Sequence, residues 1–304
     1  MGERVLVTLD GALADANAPL LYADDIGALR GDGVFETILV RDGVATALEY
    51  HLARLRRSAQ ALELPEPELG KWRSAVERAV KEWGADEEGV LRLIYTRGRD
   101  SEFDAPPSEL VPMTPTPSAY VLVSPVPARV ATARTDGVKV MTLARGISID
   151  LAQAAPWQLL GAKTLSYATN MAALRFAKRM GNDDVIFHST ENRVLEGPRS
   201  TVVIARGKQL ITPPARNGVL PGVTQRSLYD VAKKAGWKCD YQSLFTADLF
   251  DCDSIWLLSS VTLAARVSHL DGIRLSAPEN AEEIVAMVDK GIASSGALGD
   301  WQST

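Results

Sequence analysis

Cysteine and histidine are both scarce in this sequence of 304 residues, which has two cysteines and three histidines. The two cysteines, Cys239 and Cys252, have no histidine cluster near them. A disulfide scaffold or a structural zinc site requires more of these residues at regular spacing, so neither organises this chain. Free thiols are typical of a reducing compartment, and we therefore expect a cytoplasmic location.

Long apolar runs and an excess of positive charge are also lacking. No stretch reaches the roughly 20 apolar residues that a membrane span requires, and Met1 to Asp10 lacks the apolar run of a signal peptide. The net charge is −5, whereas nucleic-acid binding needs a basic surface. We expect no membrane or nucleic-acid partner. The remaining composition, 46% hydrophobic and 23% charged, is that of an ordinary globular protein.

Hydrophobic periodicity predicts an α+β fold, and the length of the chain favours two domains. Seven prolines between Pro106 and Pro127 exclude a regular helix there. We place a small N-terminal α+β domain at residues 1–127, a linker at 128–135 and a larger C-terminal α+β domain at 136–304. Helices are predicted at 49–62, 69–83, 166–180, 223–235 and 280–294; strands are predicted at 4–9, 34–40, 89–96, 118–123, 138–143, 184–188, 201–206, 209–211 and 254–259.

Two segments are similar to nucleotide-binding motifs but lack glycines that those motifs require. The run Gly31-Asp32-Gly33-Val34-Phe35-Glu36 has a glutamate where a dinucleotide fingerprint needs its third glycine. The run Gly161-Ala162-Lys163-Thr164 has an alanine where a P-loop needs the glycine before its lysine, and the upstream glycine is absent. We therefore predict no nucleotide site at either place.

A different set of chemical groups remains. Lys163 supplies an amine that can bond to an aldehyde cofactor, and Glu196 a carboxylate that can keep a ring nitrogen protonated. Val223 and Thr224 follow a Pro-Gly turn at the start of a predicted helix, where anions bind readily. Each feature alone has an ordinary explanation: a surface lysine, a turn glutamate, a helix cap. We therefore base the interpretation on the combination and order of these features.

Six segments occur in an order that resembles the fold-type IV pyridoxal-phosphate enzymes, the class IV aminotransferase family. This family includes branched-chain aminotransferases, D-amino-acid aminotransferases and aminodeoxychorismate lyases. The resemblance runs from Asp24 to about Gly272 and implies a two-domain fold-type IV architecture, a pyridoxal 5'-phosphate cofactor and a homodimer. The segments are Gly31 to Thr37, His51 to Leu55, Lys163 with Tyr167, Leu195 to Gly197, Leu220 to Thr224, and Ser259 to Thr262.

The resemblance also implies roles for residues that would contact the cofactor. Lys163 would be bonded to the cofactor aldehyde and, once released, would remove the substrate's α proton. Glu196 would pair with the pyridine nitrogen, and Tyr167, one helical turn after Lys163, would face the phenolic oxygen.

Binding of the cofactor phosphate would fall to Arg54, Val223 and Thr224, with Thr262 adding a hydroxyl contact. From the residues alone, Arg54 could also be a solvated helix residue. A helix cap and a phosphate site can both hold at Val223 and Thr224, because they use the same geometry.

The reaction is indicated by Thr37, because the resemblance implies that aminodeoxychorismate lyases use a threonine hydroxyl there for proton relay beside the lysine. The Arg-x-His pair of D-amino-acid aminotransferases is absent from residues 96–103. The chain thus looks most like an aminodeoxychorismate lyase, which forms 4-aminobenzoate and pyruvate for folate synthesis. A branched-chain or D-amino-acid aminotransferase is the alternative, and a noncatalytic binding protein is a third.

Phe35, Arg92 and Arg97 are predicted to contact the substrate. Arg92 places a charge in an otherwise apolar strand, and a buried guanidinium needs an anionic partner. That partner could be a substrate carboxylate or an internal salt bridge.

Overall fold

The computed structural model describes residues 4–102 and 116–294. The chain divides into two compact units: unit 1 comprises residues 1–126 and 162–167, and unit 2 comprises residues 127–161 and 168–304. Four of the seven prolines, at positions 106, 107, 112 and 115, lie outside the described residues, so the expected absence of helix there stays a prediction.

Unit 1 is built on one mixed-length antiparallel sheet with the strand order β2-β1-β6-β5-β3-β4. Strand β1 therefore pairs with β6, the last strand of the unit, and the sheet is not a simple meander. The elements are β1 (Val5–Thr8), β2 (Leu13–Ala14), α1 (Ile26–Arg30), β3 (Gly33–Arg41), β4 (Val44–Ala45), α2 (Leu48–Ala61), α3 (Leu69–Trp83), β5 (Gly89–Thr96) and β6 (Ala119–Pro125).

Helical spacing of apolar residues explains how α2 and α3 pack. In α2, Leu52, Leu55 and Ala59 are fully buried, and this helix packs on β3. In α3, Trp72 and Val76 are buried and the helix packs on β1 and β6. Burial of each large apolar side chain contributes about 1.5–3 kcal/mol. The core of unit 1 thus lies between these helices and one face of the sheet.

Unit 2 has an eight-stranded sheet with the path β11-β10-β9-β12-β13-β7-β8, and β14 pairs with β13. Helices α7 and α8 pack on each other, and α6 packs on β8. The elements are α4 (Arg129–Thr135), β7 (Val138–Ala144), α5 (Leu151–Ala154), α6 (Ala168–Arg179), β8 (Asp184–His188), β9 (Thr201–Arg206), β10 (Gln209–Thr212), α7 (Val223–Lys234), β11 (Lys238–Tyr241), β12 (Ser254–Ser259), β13 (Leu263–Leu270), β14 (Ile273–Arg274) and α8 (Ala281–Ser294).

The predicted α+β class is confirmed, with two local differences. Residues 128–135, predicted as a linker, contain α4, because Val130 is buried and its N–H donates to the carbonyl of Pro127. Residues 162–167, predicted within the C-terminal domain, make their contacts in unit 1. Among the described residues, no helix combines the length and apolarity needed to cross a bilayer.

Candidate active site

Lys163 lies on an extended segment that continues the sheet of unit 1. The N–H of Phe35 donates to the carbonyl of Lys163 at 3.1 Å, and the N–H of Leu165 donates to the carbonyl of Gly33 at 2.8 Å. Strand β4 pairs with only the far end of β3, at Val40 and Arg41, so this segment pairs with the near end. The prediction that Tyr167 lies one helical turn after Lys163 is therefore wrong: α6 starts at Ala168.

The segment approaches unit 1 closely because Gly31 has no side chain. Gly31 ends α1 with a left-handed φ of 72°, and a Cβ there would lie 3.0 Å from the Cα of Ser166. On α2, the hydroxyl of Ser58 accepts a hydrogen bond of 3.1 Å from the N–H of Lys163. Strand β3 and helix α2 thus fix the backbone of Lys163.

The amine of Lys163 lies over an aromatic ring. Its Nζ is 4.4 Å from the centre of the Phe35 ring and 5.9 Å from that of Tyr167. The two rings meet edge to face at 5.4 Å. Because side chains alternate along a strand, Thr37 lies on the same face of β3 as Phe35, and Thr37 pairs in register with Arg92. This face therefore carries an amine, a hydroxyl and a guanidinium.

Arg92 is half-buried and has an incomplete set of partners. Its Nη1 donates to Ser124 Oγ at 3.1 Å, and burial lowers its pKa below the ordinary value. No carboxylate of the described residues forms an ion pair with Arg92. Of the two partners considered from the sequence, the internal salt bridge is therefore not found in the described part of the chain.

Arg97 donates more hydrogen bonds than Arg92. Its Nε and Nη2 donate to the Asp32 carboxylate at 2.7 and 3.2 Å, and other donors reach the carbonyls of Leu62 and Glu63 just after α2. This guanidinium ties the Gly-Asp-Gly turn to the end of α2. A substrate contact by Arg97 stays a prediction.

Arg54 points inward, so the alternative of a solvated helix residue is wrong. The residue is 4% exposed, and its Nε and Nη2 donate to the two oxygens of Glu36 at 2.8 and 2.7 Å. His51 Nδ1 donates to Glu36 Oε2 at 2.7 Å. We call Glu36, His51 and Arg54 the buried triad. Sequence reasoning missed the part that Glu36 and His51 play, although a glutamate in an apolar strand is itself a signal.

The charges of the buried triad are set by burial and by contact. Burial opposes ionisation of Glu36, but the Arg54 guanidinium outweighs it and holds the pKa of Glu36 well below the ordinary value. Burial lowers the pKa of His51, more than the bond to Glu36 raises it. The triad thus contains a carboxylate, a guanidinium and a neutral imidazole.

In unit 2, Glu196 lies at a turn that is anchored on two sides. Its Oε2 accepts a hydrogen bond of 3.0 Å from the N–H of Leu220, three residues before α7. The carbonyl of Pro198 accepts a bond of 2.8 Å from Asn170 of α6, which accepts in turn from Arg145 at 2.7 Å. Sequence reasoning missed Asn170 and Arg145, because only tertiary contact brings them to the turn.

The N-terminus of α7 has the features of an anion-binding site. Gly222 occupies the cap position and gives no side-chain bond, and both Val223 and Thr224 are buried. A Cβ at Gly222 would collide with Thr201 Oγ1, so the close turn requires glycine. A helix N-terminus carries partial positive charge and N–H groups without helical partners.

Thr262 lies at the end of the unit 2 sheet that is near the N-terminus of α7. Thr201 pairs in register with Leu258 near the end of β12, and Thr262 lies in the turn between β12 and β13. The start of α7 contacts Thr201, so this turn and the helix N-terminus are neighbours. Unit 2 therefore presents hydroxyl and N–H donors suited to a phosphate.

Unit 1 contains an amine and a buried arginine, and unit 2 contains a carboxylate and a helix N-terminus without a side-chain cap; each is a kind of group that binds pyridoxal phosphate. Among the described residues, no three or more His, Cys, Asp or Glu side chains come together in a group that could hold a metal ion.

Comparisons with known proteins agree with this chemistry. A bifunctional aminodeoxychorismate lyase / D-amino acid transaminase of Mycobacterium tuberculosis is 53% identical over 299 residues, or 95% of this chain and 99% of that protein. The PLP-bound form of a hypothetical aminotransferase from the same organism superimposes with a TM-score of 0.90 at 53% identity, covering 96% of this chain and 99% of that one.

A fold IV transaminase of Curtobacterium pusillum is 37% identical, with a TM-score of 0.87 over 96% of this chain and 98% of that one. The sequence pattern of the Amino-transferase class IV family matches residues 33–270, from β3 through the end of β13. The chain therefore belongs to the class IV aminotransferase family and has its fold-type IV architecture.

Proposed function

We propose that this chain is a 4-amino-4-deoxychorismate lyase that forms 4-aminobenzoate and pyruvate, a step toward folate. Its cofactor is pyridoxal phosphate, and it is an enzyme of the lyase or aminotransferase kind, as its family and its 53% identical relative indicate. When bound, this cofactor supplies an aldehyde that condenses with amines and a ring that accepts an electron pair.

The roles of the cofactor-contacting residues follow from their chemistry. The Nζ of Lys163 would hold the cofactor by its aldehyde at rest and, once released, would accept the proton from the amine-bearing carbon of the substrate. Glu196 keeps the pyridine nitrogen protonated, and its bond from Leu220 N–H holds the carboxylate in place. Tyr167 would contact the phenolic oxygen of the cofactor.

The phosphate contacts are assigned to the anion-binding features. Val223 and Thr224 contribute N–H groups of the α7 N-terminus, and Thr262 contributes a hydroxyl. Arg54 contributes its guanidinium, which Glu36 already orients.

The position of Thr37 is the observation on which the lyase proposal depends. Its side chain lies on the face of β3 that also carries Phe35, and Phe35 contacts the Lys163 amine at 4.4 Å. A hydroxyl on this face can relay a proton from Lys163 to the departing pyruvate group. A transaminase instead returns that proton to the cofactor and has no such leaving group.

Arg92 is our candidate for a substrate carboxylate. It pairs in register with Thr37, lies half-buried on the same face, and has no ion-pair partner in the described residues. A carboxylate of the substrate would supply the missing anion. Phe35 would contact the substrate by its ring.

Amino-group transfer from D-amino acids to 2-oxo acids is the second candidate. The 53% identical relative from M. tuberculosis is named for both activities. Residues 96–102 lack the Arg-x-His pair, so we expect transamination to be the slower reaction. Branched-chain transamination has no comparable support.

The test is turnover by the purified protein loaded with pyridoxal phosphate. It is offered aminodeoxychorismate first, then D-alanine or a branched-chain amino acid with 2-oxoglutarate. We expect 4-aminobenzoate and pyruvate to form fastest. In Thr37→Val, lyase turnover should fall by about 10²-fold or more, because a proton relay is lost, while transamination changes little. Thr37→Ser, which keeps the hydroxyl, is the matched control. Turnover of the amino acids alone would overturn the lyase assignment.

A homodimer is the assembly that we propose. Of the 12 residues of α6, only Ala177 is buried. Met171, Phe176 and Met180, on and just after this helix, are 39–59% exposed. A helix with so little buried surface is usually covered by another element or another chain.

We propose a reducing compartment, the cytoplasm, for this enzyme. Cys239 and Cys252 are both free thiols, and burial raises the pKa of each to about 11. Thiols with high pKa react slowly and persist where disulfide formation is not favoured.

A further inference from the structure

The buried triad has a geometry that limits where Arg54 can point. Glu36 is fully buried, and its two oxygens accept from Nε and Nη2 of Arg54 in a two-point fork. A fork of this kind fixes both the position and the plane of a guanidinium, because the two bonds must lie in one plane. Nη1 lies outside the fork.

His51 holds the Glu36 carboxylate in place. Its Nδ1 donates to Glu36 Oε2 at 2.7 Å, the oxygen that also accepts from Arg54 Nη2. His51 and Arg54 are three residues apart on α2 and thus on one face of the helix, while Glu36 lies on β3. The fork therefore also links the helix to the strand whose edge pairs with the Lys163 segment.

From this geometry we infer that Glu36 and His51 are positioning residues for cofactor binding: they hold the guanidinium of Arg54 in the orientation in which it binds the cofactor phosphate. The inference rests on the proposed phosphate contact of Arg54. It concerns the free energy with which the phosphate group binds and not the chemical step.

The charges favour positioning over simple attraction. Arg57, one helical turn after Arg54, is half-buried, and burial and then Arg54 lower its pKa. The two guanidinium groups and the one carboxylate together carry a net charge of about +1. Removal of the Glu36 charge would increase this positive charge, so a purely electrostatic role predicts tighter phosphate binding. A positioning role predicts weaker binding. The two roles therefore predict opposite changes in phosphate affinity when the Glu36 charge is removed.

The experiment compares two forms of vitamin B6 that differ only in the phosphate. Dissociation constants of pyridoxal phosphate and pyridoxal are measured for the folded apoprotein by absorbance or fluorescence titration. The ratio of the dissociation constant of pyridoxal to that of pyridoxal phosphate isolates the phosphate contribution, and a larger ratio means a stronger preference for the phosphate form. In Glu36→Gln we expect this ratio to fall by about tenfold or more, equivalent to about 1.4 kcal/mol, with little change in the affinity for pyridoxal.

The matched control is Glu49→Gln. Glu49 lies on α2 and forms a two-point fork with Arg73 at 2.7 and 2.8 Å, the same interaction in the same unit. Loss of that fork should leave the ratio unchanged. Arg54→Lys keeps the positive charge but cannot form the fork, and it should lower the ratio as much as Glu36→Gln does.

His51 provides a second test if Glu36→Gln does not fold. His51→Asn can place an amide N–H near the position of Nδ1, and His51→Leu cannot. We expect a near-normal ratio for His51→Asn and a ratio reduced roughly threefold or more for His51→Leu, the effect of one hydrogen bond.

The outcomes separate this inference from the proposed function. If the unmodified protein binds neither compound, the cofactor assignment fails; if it binds both equally, the phosphate contact fails. If it prefers pyridoxal phosphate and folded Glu36→Gln keeps or increases that preference, the positioning role is overturned. If Glu36→Gln does not fold, equal ratios in His51→Leu and His51→Asn overturn it instead.

Discussion

At the scale of single residues, the environment of Lys163 suits an amine that alternates between a covalent bond and proton transfer. The backbone of Lys163 is bonded on both sides, to Phe35 and to Ser58, while its side chain lies over the Phe35 ring at 4.4 Å. A cation over an aromatic face is attracted to it without forming a strong ion pair. The amine is thus positioned against the rings of Phe35 and Tyr167.

Lys163→Arg should abolish covalent cofactor attachment, because a guanidinium stays protonated and is not a nucleophile. Borohydride treatment of the loaded unmodified protein should leave a reduced adduct on the peptide that contains Lys163, found by peptide mass analysis. The variant should show no adduct and lose about 10²-fold or more of its turnover.

Lys178→Arg, on the exposed side of α6, is the control and should behave as the unmodified protein does. An adduct on another residue, or on none, would contradict the assignment of Lys163.

Residue identity alone predicted part of the candidate site. Lys163, Glu196 and Arg54 were selected because their chemistry and order are specific, and their roles stay predictions. Glu36 was used only to reject a nucleotide motif, since its partner Arg54 lies 18 residues away on another element. Asn170 and Arg145 were missed for the same reason. Long-range hydrogen bonds leave no local pattern.

At the scale of elements, α2 and β3 are joined by the buried triad, and this contact makes unit 1 sensitive to acid. The pKa of His51 in the folded chain lies below its ordinary value of 6.5, chiefly because of burial. On acidification the unfolded chain takes up a proton on His51 near that pH and the folded chain does not. The free energy of unfolding therefore decreases as the pH falls below about 6.5.

His51→Asn removes this titration and should flatten the dependence. Urea unfolding at pH 7.5, 6.5 and 5.5 measures the free energy of unfolding, which should decrease less between pH 6.5 and 5.5 in the variant than in the unmodified protein. The low pKa of Glu36 adds its own loss of stability only at pH values below about 4.5, outside this range. An unchanged slope in His51→Asn would show that His51 does not titrate on unfolding.

Elements with strong local patterns were predicted well, and elements decided by tertiary contact were not. The bounds of α3, β5 and β12 match the predicted ones. Residues 128–135 were predicted as a linker because prolines precede them, yet Pro125 and Pro127 only mark where α4 can begin. Segment 162–167 was predicted partly as helix, but pairing with the edge of β3, over 120 residues earlier, keeps it extended.

At the scale of the whole molecule, α6 is the surface that we expect to join two copies. Phe176→Lys with Met180→Lys replaces two exposed apolar side chains of this surface by charges, and like charges repel when copies meet. The dimer dissociation constant should rise by about tenfold or more. Light scattering after gel filtration, over a range of protein concentrations, measures it.

Ile273→Lys is the control, because Ile273 is 55% exposed on β14, elsewhere in unit 2. It should leave the molar mass unchanged. A double variant that keeps the mass of a dimer at all concentrations would exclude α6 as the interface.

The path of the chain has a consequence for dissecting this enzyme. Residues 162–167 join the sheet of unit 1 while the sequence on both sides of them folds into unit 2. A fragment truncated after residue 126 would therefore expose an unpaired strand edge at Gly33 to Phe35, and the complementary fragment would carry the lysine without the strand that supports it. Neither piece is self-sufficient, and mixing the two pieces should restore function only if the short insert finds its strand again.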